Sequence, residues 1–441
     1  MPAPPSILRA IRREGGVTAI MTGATEPFMI PYALALGAGA FEAGLLSSGR
    51  NLLVAILQLW SAELAGWMRS RRRLVLVTIA VQGMLWVPLA FAGSLFGAYA
   101  VLGLIACYTL GTAIAALGGP AWGSLMADHV PAETRGRFFG GRARTVGLCT
   151  TAAMLLAGLV LHGTTRTPLV GFGILCVVAA VSRLASWAAV RRVPEQPDGA
   201  GTGRQFSFGE FLRAAPHSNF ARFSLTLGAF GFATHMASPF FAVYVLEGRG
   251  LGYLTYALVI LTGSLVGSVG GAWWGRVGDR TGNHAILRWA TLGVCGMPLL
   301  WLVAPNAVAL TAVNATGAFL WSGINLSATN FLCDAVTPAK RHTCLAYFNV
   351  VNGVGIGLGA LTGGLVLHAF PHTTEAAFAT LFAISAALRA AVALTLRRSV
   401  HEVRAVEPDA FRQLVLDLGG QRLVAVLDAL PGRGPRAGQD Q

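Results

Sequence analysis

Glu26, Arg50 and His235 each stand inside a long apolar run, where an ionisable side chain needs a reason to be. A charge at the centre of a bilayer costs at least about 2.5–3.5 kcal/mol, so such a residue usually has a function or a partner. Glu26 and His235 occupy equivalent places, after Ala24-Thr25 and after Ala233-Thr234. A carboxyl and an imidazole can both take up and release a proton, the chemistry of proton coupling. The plainer readings are a neutral structural carboxyl and a hydrogen-bonded packing histidine. Arg50 can pair with Glu26, anchor an anionic solute or snorkel outward. Tyr108, Asn314 and Asn325 add hydrogen-bonding groups at membrane depth. Nothing resembles a nucleotide-binding loop, a metal cluster or a nucleophile–base arrangement, so neither a cofactor nor enzyme activity is expected. The six cysteines have no CxxC spacing and read as small buried hydrophobes.

These residues must be positioned by membrane helices. The chain of 441 residues is 54% hydrophobic and 12% charged, against about 25% charged in a soluble protein. Twelve stretches approach the roughly 20 apolar residues that a crossing needs. They lie near 17–38, 43–66, 74–93, 97–120, 145–163, 168–190, 221–245, 252–275, 289–304, 307–330, 345–369 and 374–396. In lipid they must be helical, which predicts an all-α fold of twelve spans.

The net charge of +14 does not point to nucleic acid, because the arginines alternate with the spans. Arg9, Arg12 and Arg13 precede the first span; Arg69 and Arg71 to Arg73 follow the second. Arg135, Arg137, Arg142 and Arg144 follow the fourth, whereas the opposite loops hold only Arg166 and Arg249. Positive charge on one side predicts that both termini are cytoplasmic. No cleavable signal peptide is expected at the polar, basic start. One lysine among 33 basic residues suits the composition bias of a bacterial genome, hence a bacterial inner membrane. A monomer is expected, with a small solute, protons and the bilayer as partners.

Residues 1–16 form a cytoplasmic lead, 17–192 and 220–399 two six-helix halves, and 193–219 a linker rich in Pro and Gly. In the tail, 400–441, Phe411, Leu414, Val415 and Leu418 recur at helical spacing, as in a surface helix or a tail packed on the loops. The halves repeat one pattern. Asp128 to Arg135 is echoed by Asp334 to Arg341, Arg183 by Arg389, Gly66 and Arg71 by Gly275 and Arg280. Secondary transporters are commonly built from such repeats, with the site between them. The paired arginines Arg183 and Arg389 read as scaffold near the cytoplasmic ends. Glycines four apart in span eight and crowded in span eleven, Gly353 to Gly364, permit close helix contact and sliding.

The turn Gly275-Arg-Val-Gly-Asp279-Arg280-Thr-Gly282-Asn283 resembles the G-x-x-x-D-R-x-G-[RK] signature of the major facilitator superfamily, departing only at Asn283. The first-half turn keeps Gly66 and Arg71 but has Ser70 in the place of the acid. The resemblance covers residues 17–396 and implies a central cavity lined by spans one, four, seven and ten, with Glu26 and His235 facing across it. It also implies a cytoplasmic latch. Gly66 and Gly275 would let helices approach, and Asp279 would sit at a neighbouring helix end. Arg71, Arg280, Arg135 and Arg341 would bridge to acids such as Asp128 and Asp334. The function so implied is secondary transport of a small solute by alternating access, coupled to protons. An uncoupled facilitator, an anion exchanger and a non-transporting sensor or assembly protein of the same fold are the alternatives. The superfamily's drug antiporters carry a Gly-Pro motif in span five; Leu155 to Leu159 stands there instead.

Overall fold

The computed structural model describes residues 5–130, 134–195, 208–213, 218–336, 341–370 and 374–399. Among them there is no strand. Among the described residues, eleven helical stretches are long and apolar enough to cross a membrane. The twelfth crossing, span one, is assembled from α1 (Pro5–Thr25), a 3-10 turn at Glu26–Phe28 and α2 (Met29–Ala35). Pro27 explains the interruption, since it has no N–H to donate and its ring crowds the preceding turn. Span one is also less apolar than the rest, because α1 begins among Arg9, Arg12, Arg13 and Glu14. The expected lead is thus helical from Pro5 and continuous with the span.

Span two is α3 (Ala40–Gln58) with α4 (Ser61–Trp67), and span three is α5 (Arg71–Ala90) with α6 (Ala92–Phe96). Spans four to six are α7 (Ala100–His129), α8 (Arg135–Gly163) and α9 (Pro168–Val190). After a short α10 (Phe208–Arg213), span seven is α11 (Asn219–His235) with α12 (Phe240–Val243). Span eight is α13 (Tyr253–Thr281), and span nine is α14 (Asn283–Cys295) with α15 (Met297–Val303). Spans ten to twelve are α16 (Ala307–Ala335), α17 (Arg341–His368) and α18 (Glu375–Ser399). Several helices outrun the apolar stretches that predict them; α7 reaches His129 and α8 starts at Arg135. Hydropathy marks the part in lipid, while the helix continues beyond it wherever its end groups find partners.

In the first half α1 packs on α8 and α9, and α7 on α3 and α5; in the second α11 packs on α17 and α18, and α16 on α13 and α14. The halves meet where α3 packs on α17 and α8 on α13, two contacts that the duplication exchanges. At one end a single packed cluster joins Phe28, Tyr32 and Phe172 to Phe240, Tyr256 and Phe378 of the other half. There the Tyr256 hydroxyl donates to the Pro27 carbonyl at 2.8 Å, and Tyr253 meets Phe172 edge-on at 5.5 Å. At the opposite end, where α1 starts and α18 finishes, each buried cluster stays within one half. Ile11, Leu125 and Phe138 form one in the first half; Phe223, Ile286 and Phe331 form one in the second. Among the described residues, buried packing joins the halves at the first end and stays within each half at the second.

Span eleven owes its two contacts to missing Cβ atoms. Gly355, Gly359 and Gly363 lie on the backbone of span seven, at Gly228, Phe232 and Met236. Gly353 and Gly357, on another face, meet Ala55 and Leu52 of span two. One face therefore fastens α17 to its own half and the other forms the seam between halves.

Candidate functional site

Glu26 lies in the turn that Pro27 forces on span one, and Arg50 lies mid-helix in α3. The Arg50 guanidinium donates to Glu26 Oε1 at 2.9 Å, and each side chain keeps 34% of its surface exposed. The same guanidinium lies 5.9 Å from the ring centre of Tyr108 on α7. The pair borders open space, backed by an aromatic ring. Of the roles that the sequence leaves to Arg50, pairing with Glu26 is the one observed.

His235 ends α11. Its Nδ1 donates to the Gly231 carbonyl at 3.1 Å and lies 3.3 Å from the Thr234 hydroxyl. Among the described residues no hydrogen bond or ion pair joins it to Glu26, whose Oε1 accepts from Arg50. The repeat offset is 209 residues over the first three spans of each half and 206 over the next three, so Glu26, Arg50 and Tyr108 map onto His235, Val259 and Asn314. Asn314 Nδ2 donates to the Val259 carbonyl at 2.8 Å. The duplication keeps the contact between second and fourth spans but replaces a charged group by a neutral one.

Between α13 and α16 a cavity of about 520 Å³ opens, lined among others by Ser264, Ser268, Asn314, Trp321, Ser322 and Asn325. Among the described residues no charged side chain lines it. Amides, hydroxyls and an indole face suit a neutral hydrogen-bonding solute better than an ion.

The two signature turns are built differently. In the first, Arg69 takes a φ of 51° and breaks the helix early, so Ser70 caps α5 by accepting from the Arg73 N–H at 3.0 Å. Arg71 then reaches α7, bonding Asp128 at 2.7 Å and Ser124 at 2.6 Å. In the second, α13 continues through Thr281 and turns at Gly282, whose φ of 80° suits glycine. Asp279 and Arg280 thus belong to the last turn of α13; their side chains, and those of Arg135 and Arg341, lie outside the described residues. Asn283, the departure from the signature, donates to Asp334 at 3.1 Å. Gly66 is not a point of close approach: a Cβ there would meet nothing within 4 Å. At Gly275 a Cβ would make an ordinary contact with Leu326 at 3.7 Å. Gly66 lies on an open helix face, and Gly275 faces Leu326 with room for a Cβ, so neither position requires a glycine for the approach that the sequence suggested.

Two acids that the sequence reading passed over organise the first half. Glu195 lies on the α5 N-terminus, where Oε2 accepts from the Ser70 hydroxyl at 2.5 Å and Oε1 from the Arg71 N–H at 2.7 Å. Burial raises its carboxyl, but the Ser70 hydroxyl, the Arg71 and Arg72 N–H groups and the Arg71 charge outweigh that and hold it below the usual carboxylate range. Glu14 is buried in α1, its side chain 5% exposed. It accepts from Arg142 at 2.8 Å, Trp122 at 3.1 Å and Thr18 at 2.8 Å, tying spans one, four and five together.

The paired arginines are not near the helix ends but buried within their spans, Arg183 at 6% and Arg389 at 2% exposure. Arg183 Nη1 donates to Thr18, beside Glu14, at 3.3 Å. Arg389 donates instead to Ser385 at 3.1 Å and to the carbonyls of Val294 at 3.2 Å and Thr234 at 3.0 Å. Arg389 is met by a hydroxyl and two backbone carbonyls at the carbonyl end of α11, whereas the buried Arg183 Nε has no hydrogen-bond partner among the described residues.

The sequence model of the Major Facilitator Superfamily matches residues 15–332. The chain belongs to this superfamily. No curated protein matches the sequence. Among solved structures, a point mutant of the nucleoside transporter NupG superposes with a TM-score of 0.74 at 12% identity, covering 90% of this chain and all of that one. The D-xylose-proton symporter gives 0.71 at 12%, covering 91% and 99%. A bacterial homologue of the iron transporter ferroportin, in its inward-facing state, gives 0.68 at 15%, covering 89% and 98%. At such identities the likeness shows the fold alone, and the fold hosts many solutes. The twelve-helix architecture of the Major Facilitator Superfamily is thus present in full.

Proposed function

We propose that the protein is a secondary transporter that moves a small neutral polar solute by alternating access, coupled to protons through Glu26. The observation that carries the reading is the Glu26–Arg50 pair, set at the break of span one in a molecule whose buried packing joins the halves at one end. When Glu26 takes a proton it releases Arg50, which can then turn to Tyr108 or to the solute; when it loses the proton it recaptures Arg50. Proton binding and solute binding thus act on one guanidinium, and thermodynamic linkage makes each influence the other. His235, Asn314 and Asn325 contribute hydrogen bonds from the opposite half.

The uncharged wall around Trp321 supports a neutral, hydroxyl-rich solute with a flat face, the chemistry of the nucleoside and the pentose in the names of two structural neighbours. Anion exchange is less well supported, since Glu26 already neutralises Arg50. By the arginine distribution the divided end faces the cytoplasm, both termini lie there, and the state described is inward-facing, in a bacterial inner membrane. The test is uptake into proteoliposomes of labelled nucleosides and pentoses with and without an imposed pH gradient. Gradient-driven accumulation of one solute is expected. Equal flux with and without the gradient would remove the coupling, and no flux of any solute would favour a sensor.

A further inference from the structure

We propose that Glu195 is the missing latch acid of the first half, supplied from the start of the inter-half linker to the turn where the superfamily signature has its own carboxylate and this chain has Ser70. The inference rests on the alternating-access reading and adds to it the residue that organises the first-half latch.

Three consecutive cations, Arg71, Arg72 and Arg73, open α5. A helix N-terminus is the unfavourable end for positive charge and leaves its first N–H groups without partners. A carboxylate answers both needs. Glu195 provides one, receiving the Ser70 hydroxyl and the Arg71 and Arg72 N–H groups, with Arg71 Nε 3.5 Å away. Held on that side, the Arg71 guanidinium points its two Nη atoms at Ser124 and Asp128 of α7. Glu195 thus acts through Arg71 as a positioning residue.

The acid is itself held in place. The His129 ring bonds the Pro194 carbonyl at 2.8 Å, Arg72 bonds the Arg191 carbonyl, and Arg191 lies 4.7 Å over the Trp187 ring. At the far side of the linker, Phe211 of α10 packs on Phe220 at 5.8 Å and on Tyr347 at 5.6 Å. Each end of the linker is therefore anchored on a different half. The carboxylate that shapes the first-half turn belongs to the segment connecting the halves, so their relative movement can reach the turn through it.

The test is a rescue in the full-length protein. Spin labels at Arg137 and Thr329, exposed at the divided end on opposite halves, report the proportion of open and closed molecules by their distance distribution in lipid nanodiscs. Glu195→Ala is expected to shift that proportion by roughly fivefold, as fits loss of a partly exposed charge-assisted cluster. Adding Ser70→Asp returns the carboxylate to the turn and should bring the proportion back to within about twofold of the parent protein; Ser70→Ala in the same background should not. An unaltered proportion in Glu195→Ala, or no recovery with Ser70→Asp, overturns the proposal. Should Glu195→Ala not fold, Glu195→Gln replaces it in the same comparison. The distances are read without substrate, so failure of the rescue is distinct from failure to transport.

Discussion

Where the first half buries Glu14 against Arg142 at 2.8 Å, the second carries Phe223 stacked on Phe348 with ring centres 6.1 Å apart. The positions correspond through the repeat, and the exchange recurs elsewhere. Glu26 with Arg50 becomes His235 with Val259, and Tyr108 becomes Asn314. The first half joins its spans by ion pairs; the second uses rings, amides and backbone carbonyls at the same places. The duplicated arginine responds accordingly: Arg183 is drawn toward Glu14, while Arg389, with Phe223 in that place, caps the carbonyl end of α11. The two copies of the repeat have thus diverged, with ion pairs in the first half where the second has neutral contacts.

The comparison can be broken most severely at Glu14. Glu14→Gln removes the buried carboxylate from the half-buried Arg142 and from beside the buried Arg183, and removing one partner of a buried pair costs about 3–5 kcal/mol. Thermal unfolding of the purified protein should fall steeply; a loss below about 1 kcal/mol would mean that Glu14 is not the centre of that packing. Arg389→Leu should cost less, about 1–3 kcal/mol, because neutral carbonyls rather than an acid lose their partner. Equal losses at the two sites would erase the distinction between halves. Asn314→Ala should cost about 1 kcal/mol of stability and weaken solute binding several-fold without altering the pH dependence of transport. A shifted pH profile would place titration in the second half.

The smallest expected effect concerns Glu195. A carboxyl held below its unfolded range contributes stability that is fully present above that range, about pH 4.3 for glutamate, and is lost as pH falls through the lower folded value. The label distances at the divided end should therefore not respond to this group between about pH 7.5 and 5.5. A response that disappears in Glu195→Gln would contradict the assignment.

The fold was legible because apolar length, the side on which arginines fall and the spaced repeats are all one-dimensional signals. Glu26 and Arg50 were legible as charges inside apolar runs, and their pairing was one of three roles that the sequence left open for Arg50. Glu195 was not, because its partners lie about 125 residues away and its own neighbours, Pro194 and Gln196, read as linker. Glu14 was hidden by Arg9, Arg12 and Arg13, which gave α1 the look of a surface lead. The break at Glu26–Phe28 was announced by Pro27, yet only the packed structure places Arg50 against it. The tail's expected helix, at 400–441, lies outside the described residues.

The central claim is that Glu26 alternates between a proton and Arg50. It is tested most directly by comparing uphill accumulation with exchange in proteoliposomes for the parent protein and Glu26→Gln. A glutamine holds no titratable proton but still accepts a hydrogen bond from Arg50, so the solute site persists while the coupling is lost. Glu26→Gln should exchange labelled for unlabelled solute at a measurable rate and fail to accumulate it under a pH gradient. Accumulation by Glu26→Gln at the parent level, with an unchanged pH profile, would contradict the account.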